Sequence, residues 1–229
     1  MVFVKQNVAR LAALALALCA PVAAPSLAIP AVVPEVGLLW IGNFDTRAST
    51  GLAPSPLTGM IGVSVPLVLP SPGSPWLASV GLDVFGTYYE WDTVVGRAFP
   101  TEAESGAGFY TVGLILGPRV GVVAPLGGAV TAGAVVGLDL LLRFPLELCN
   151  SDPLSVAGRL PALGYFFGKG RFFYPETGLQ VAWKATDAIT LEFGARVLWP
   201  LFHLWDGQGV PFADELMVSG ALGLRIALR

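Results

Sequence analysis

Within the stretch TAGAVVGLDLLLRFPLE, residues 131–147, Asp139, Arg143 and Glu147 stand four apart in one of the most apolar parts of the chain. In a water-poor setting such ions are expected to pair, because a buried charge without a partner is costly. Other chemistry has little to work with. The single histidine, His203 in PLFHLWDG, has Trp205 two positions on, where a His-x-Ser pattern would need a serine, so the His, Ser and carboxylate set of an acyl-transfer site is incomplete. One His with Cys19 and Cys149 makes no soft-ligand cluster at usable spacing. The GKG at 168–170 is a lone glycine pair without the strand and helix that form a phosphate cradle, and reads as a flexible loop. The expectation is a protein that is not an enzyme, with no cofactor and no metal.

The question becomes what holds such ions in place. The 229 residues are 54% hydrophobic and only 13% charged, with 28 Gly and 19 Pro, which is too apolar for disorder and poor in charge for an ordinary soluble domain. A formal net charge of −3 gives no footprint for nucleic acid, so no nucleic-acid partner is expected.

Part of the apolar mass is an export signal. Lys5 and Arg10 precede the apolar run LAALALALCA at 11–20, and Ser26, Leu27 and Ala28 offer small residues at the right positions for cleavage after Ala28. This gives a signal peptide at 1–28 and a single domain at 29–229. Cys19 leaves lipidation open as an alternative, although Leu18 stands where a lipobox has a small residue. Removal of the signal leaves Cys149 as the only thiol, so no intrachain disulfide can form.

Residues 120–138 carry no charge and are long enough to cross a bilayer as a helix. Pro125 and the glycines at 121, 127, 128, 133 and 137 argue against one. A period of two fits better. From Val130 to Leu148 every even position is apolar, whereas the odd positions hold small residues and all the charges. The same alternation recurs at 110–122, 176–184, 189–199 and 216–228, and more weakly upstream. It predicts eight strands at 35–44, 58–69, 76–90, 108–123, 129–148, 171–184, 189–204 and 215–228. The connections 45–57, 91–107, 149–170 and 205–214 are long, while PSPGSP, APLGG and ATDA mark short turns at the other end. An even number of two-faced strands, with long loops at one end and tight turns at the other, predicts an all-β, eight-stranded antiparallel up-and-down transmembrane β-barrel. Span 149–170 is long for a structureless loop and is expected to extend the flanking strands beyond the membrane.

The chain ends GLRIALR, in which Gly223, Ile226 and Leu228 resemble the Gly-x-x-apolar-x-apolar assembly signal of outer-membrane barrels. Arg229 stands where many families have an aromatic, a departure that resembles spirochaete proteins. Over 35–229 the chain resembles the small eight-stranded outer-membrane proteins of the OmpW, OmpX and OmpA-transmembrane type, in a treponemal form. The resemblance implies an outer-membrane location with extracellular long loops, contact with outer-membrane lipid, insertion by the barrel-assembly machinery through the last strand, and a monomer.

Parity sorts Asp83, Asp139, Glu147, Glu176 and Glu192 inward with Arg119, Arg143, Lys184, Arg196 and Arg225. Equal numbers of each sign predict a lumen ionic network paired across the barrel. Counting from the nearest turn puts Asp83, Arg119, Glu176 and Arg196 near mid-barrel and Asp139 a little above. Glu192, Lys184 and Arg225 fall lower, and Arg143 and Glu147 lie toward the loops. Eight strands leave room only for side chains or one small ligand, so a plugged polar core is expected. By its parity His203 falls with the lipid-facing residues, or else at a loop base. Arg159, Lys169 and Arg171 in the third long loop could form a basic tip, although a merely solvated loop explains the same charges.

Two functions follow. The OmpW resemblance implies a narrow passive conduit for small, mostly apolar molecules, admitted among Phe172, Tyr174, Trp199, Phe202 and Trp205. The alternative is a surface-exposed structural or adhesin-like barrel with a plugged lumen that displays its loops to host surface molecules.

Overall fold

A computed structural model describes residues 31–44, 55–70, 74–102, 108–146 and 153–227. Residues 1–28, expected to be a signal peptide, together with Glu147, both cysteines and the terminal Leu228 and Arg229, lie outside these residues. The strands in chain order are β1 (Ala31–Ile41), β2 (Leu57–Val68), β3 (Trp76–Asp92), β4 (Arg97–Thr101), β5 (Gly108–Gly127), β6 (Val130–Pro145), β7 (Phe173–Lys184), β8 (Ile189–Leu198) and β9 (Met217–Ala227). Helix α1 (Pro153–Phe167) follows β6, and a 3-10 turn, Leu201–Leu204, follows β8.

Every strand pairing is antiparallel. Neighbours in sequence pair around the barrel, β1 pairs with both β2 and β9, and β3 pairs with both β2 and β5, so eight strands close a ring with β4 outside it. Closure leaves no sheet edge within the wall, as a wall immersed in hydrocarbon requires. The two-residue period sets its two faces. Leu116, Val120, Val136 and Leu138 point outward and are exposed, while Arg119, Asp139, Leu141 and Arg143, of the opposite parity, are buried. The outer face is a continuous apolar surface running from Trp76 and Trp183 at the turn end to Phe144 and Phe173 at the loop end.

The wall is uneven in height. β3, β5 and β6 run 17, 20 and 16 residues, whereas β8 has 10, and roughly nine to eleven suffice to cross a bilayer. The tall side therefore projects at the loop end. There β3 folds back through Thr93, Val94, Val95 and Gly96 into β4, and the Asp92 carboxylate accepts the amides of Val94 and Val95 at 2.8 and 3.1 Å to fix the turn.

Three expectations need correction. Residues 153–167 form α1 rather than strand extensions, and β6 stops at Pro145; Pro153 begins the helix, a position where its missing N–H costs nothing. β8 ends at Leu198 instead of 204, because Pro200 removes a ladder donor and the chain winds into the 3-10 turn. The β5–β6 turn is tighter than APLGG implied, as a register shift between Pro125 and Gly127 lets the ladder continue to Gly127 opposite Val130.

Candidate functional site

The lumen is filled in layers. Nearest the turns, Arg225 pairs with Glu192 across β8 and β9. Next comes a cluster on five strands. Arg119 on β5 reaches Asp83 at 3.2 Å, Glu176 at 3.1 Å and Asp139 at 3.9 Å, while Arg196 on β8 reaches Asp83 at 2.9 Å and Glu176 at 3.4 Å. Glycines make the space: a Cβ at Gly81 would lie 2.2 Å from an Arg119 nitrogen, and one at Gly62 would lie 2.0 Å from an Asp83 oxygen. The cluster holds Asp83, Asp139 and Glu176 against only two guanidinium groups, and neither Asp139 oxygen finds a donor among the described residues. Below it a cavity of about 80 Å³ opens toward the turn end, with Glu35 and Ser64 in its wall.

Above the cluster the lumen turns apolar. Leu39, Phe85, Ile115, Leu141, Tyr174, Leu198 and Phe202 belong to one buried cluster that crosses the barrel, and most of them have no exposed surface at all. Phe85, Leu141, Tyr174 and Leu198 each lie two positions along their strands from an ionic residue, as Leu141 does between Asp139 and Arg143, so the same inward parity supplies both layers. The plug is therefore apolar at its centre, and the expectation of a purely polar one is corrected.

A second ionic layer caps the belt. Arg143 on β6 donates to Glu215 at 2.6 Å and to the backbone carbonyl of Arg171 at 3.0 Å. Arg97 on β4 pairs with Asp214 at 2.7 Å, and Arg171 pairs with Asp206 at 3.2 Å. Aromatic rings sandwich these cations: Arg143 lies 4.4 Å from the Phe166 centroid and Arg171 lies 4.1 Å from that of Tyr165. Tyr165 Oη donates to the other Glu215 oxygen at 2.7 Å. Burial raises the Glu215 carboxyl, but the guanidinium groups of Arg143 and Arg97 outweigh it and bring the group down to about 2. Burial, with Glu215 beside it, holds the Tyr165 phenol well above its usual range, so it remains a donor. Glu215 also adopts a left-handed backbone, with φ 59°. For a residue other than Gly that conformation persists only where surrounding contacts over-determine it.

Over this layer lies a lid. Tyr89, Ala98, Phe109, Ala162, Tyr165 and Phe166 form a separate apolar core between the β3–β4 hairpin, the top of β5 and α1. A Cβ at Gly158 would lie 2.7 Å from Trp91, so this glycine lets α1 sit close on the hairpin.

The structure thus brings Asp83, Arg119, Asp139, Glu176 and Arg196 together at one height and Glu192 with Arg225 at another. Lys184 is not in the lumen; it is more than half exposed and pairs with Asp187 in the β7–β8 turn at 2.7 Å, a contact that lowers the Asp187 carboxyl. Its parity is inward, but at the last residue of β7 a long side chain reaches water instead. Arg143 takes its partner from the β8–β9 connection rather than from the wall.

The loop-end aromatics do not form one mouth. Tyr174 and Phe202 are fully buried in the belt, ring against ring at 5.7 Å. Trp199 instead donates to Thr177 at 2.9 Å, Trp205 donates to the Lys169 carbonyl at 2.8 Å with more than half its surface exposed, and Phe172 lies against Phe173. His203 is likewise not lipid-facing. The 3-10 turn swings it inward, where its ring nitrogens lie 3.1 Å from Asp206 and 2.9 Å from the Asp214 carbonyl. Of the three cations expected at a basic tip, Arg171 is buried, Lys169 is exposed and donates to the Asp206 carbonyl, and Arg159 donates to the Leu146 carbonyl.

Parity had no hold on Arg97, Tyr165, Asp206, Asp214 or Glu215, which lie in connections. The available signal was compositional: in so apolar a chain, WDGQGVPFADE at 205–215 concentrates three carboxylates in eleven residues beside the last strand.

No family model matches the sequence, and no curated protein matches it. Solved structures do share the architecture. The Neisserial surface protein A is similar with a TM-score of 0.51 at 12% identity, over 86% of this chain and 96% of that one. Ail, the attachment invasion locus protein of Yersinia pestis, solved with the heparin analogue sucrose octasulfate, gives 0.44 at 8% identity, over 86% and 97%. The outer membrane enzyme PagL gives 0.39 at 12%, over 86% and 99%. At these identities the likeness is one of fold. The closed eight-stranded antiparallel wall with its apolar outer face is thus a β-barrel fold that this chain shares with the Neisserial surface protein.

Proposed function

We propose that the protein is a surface-exposed structural barrel that presents its loop end to other surfaces and does not conduct solutes. The observation that carries this is the belt of Phe85, Ile115, Leu141, Tyr174, Leu198 and Phe202, fully or almost fully buried across the lumen between two ionic layers. A passive conduit for small apolar molecules would need a continuous path past that belt, and the cavity on the turn side is only about 80 Å³. No enzymatic role is proposed, since both nitrogens of His203 are engaged by Asp206 and Asp214.

In this reading the long connections are extracellular, and the display surface is built on a rigid base. The contact chemistry is apolar and aromatic rather than basic: Val94 at the hairpin tip and Leu204, Trp205 and Phe212 in the β8–β9 connection are exposed. Replacing Val94, Leu204 and Trp205 by Ser in the intact barrel is expected to abolish binding of cells carrying the protein to host cells or matrix, with heat-modifiable gel migration unchanged. Undiminished binding by the folded variant would rule the display surface out.

A further inference from the structure

Helix α1 has two apolar faces and only one of them is covered by protein. Ala162, Tyr165 and Phe166 turn toward the hairpin and the barrel mouth. On the other side Val156, Leu160, Leu163 and Phe167 follow at helical spacing and are exposed, Leu160 to 79%. Arg159 is the only charged residue in the helix. A helix that is apolar all round is found where both faces are shielded from water. The open stripe does not end in solvent: Phe167 meets Phe144 ring to ring at 6.0 Å, and Phe144 belongs to the outer wall of β6. Between helix and strand runs a groove of about 350 Å³ lined by Phe144, Pro145, Val156, Arg159, Leu160 and Leu163.

We infer that α1 is a membrane-seated element, with its outer stripe in the bilayer leaflet at the loop end and the groove against β6 holding an acyl chain of an anionic phospholipid. Continuity with the wall's lipid-facing surface supplies the argument, since the apolar face of β6 joins that of α1 at the Phe144–Phe167 contact. Arg159 chooses the headgroup. It is partly exposed at the groove, where it donates to the Leu146 carbonyl at a long 3.4 Å, and its guanidinium can also meet a phosphate. The barrel is then anchored asymmetrically, and the lid rests on lipid on its β6 side.

The test places a nitroxide on Leu160→Cys in the full chain with Cys19 and Cys149 replaced by Ser, folded into vesicles of phosphatidylcholine and phosphatidylglycerol. Collision rates with oxygen and with a water-soluble nickel chelate are compared with labels at Val136 on the wall and Val94 at the hairpin tip. The inference predicts loss of nickel-chelate collisions at 160 to the level of Val136. A rate matching Val94 would overturn it, and so would protection accompanied by dipolar broadening that disappears on dilution with unlabelled protein, since a second copy would then cover the stripe. A label on Leu163→Cys gives the same readout should the first variant fail to fold. Arg159→Gln is expected to reduce the preference for spin-labelled phosphatidylglycerol over phosphatidylcholine by about threefold; an unchanged preference would overturn the headgroup assignment.

Discussion

The two ionic layers of the lumen use the same side chains in opposite ways. In the loop-end layer each cation has its own carboxylate, Arg143 with Glu215, Arg97 with Asp214 and Arg171 with Asp206, under a lid that leaves almost none of them exposed. The mid-barrel cluster shares two guanidinium groups among three carboxylates and borders the turn-end cavity. Discrete pairs sealed from water fix a loop in one arrangement. A shared cluster with an acid to spare fills space and tolerates change. The loop-end layer therefore holds the conformation of the loop end, whereas the cluster spaces the wall.

The contrast can be broken most sharply at Glu215. Glu215→Gln leaves Arg143 charged and buried without its counter-ion, and is expected to cost about 3–5 kcal/mol of unfolding free energy in urea titrations of the vesicle-folded barrel. A cost under about 1 kcal/mol would show that the layer is not sealed.

Acid should reach the same pair. The Glu215 carboxyl sits near 2 against an ordinary 4.5, so its stabilisation is complete above about pH 4.5 and is lost as the pH falls through about 2. The difference corresponds to about 3 kcal/mol. Unfolding midpoints measured across that window should fall steeply in the native chain and less in Glu215→Gln; parallel curves would contradict the assignment.

The smallest effect, with the opposite sign, is expected in the cluster. Asp139→Asn removes the surplus carboxylate and adds an amide that can donate to its neighbours, so it should be neutral or stabilise by about 1 kcal/mol. A loss comparable to that of Glu215→Gln would mean that both layers obey one rule.

What the sequence revealed follows the same division. Alternation along 130–148 and its repeats carried the strand faces, the eight-fold count and the inward set, because the side-chain period of a strand is fixed at two. It also held the belt, since Ile115 and Leu141 are inward apolar positions. The loop-end layer was illegible because its acids sit where no period applies, and their partners are set by the path of the chain from Pro200 to Glu215. Helix α1 was missed for a related reason: residues 153–167 are apolar on both faces, so no helical period stands out from the background.

Packing closes the lumen, and electrical recording tests this without an intermediary. The full chain inserted into planar phospholipid bilayers should give no single-channel current, and none after Arg196→Ala, because the belt above that residue remains intact. Steady conductance steps from the native chain that change in size on replacing Arg196 would contradict the account and restore the barrel to the class of conduits.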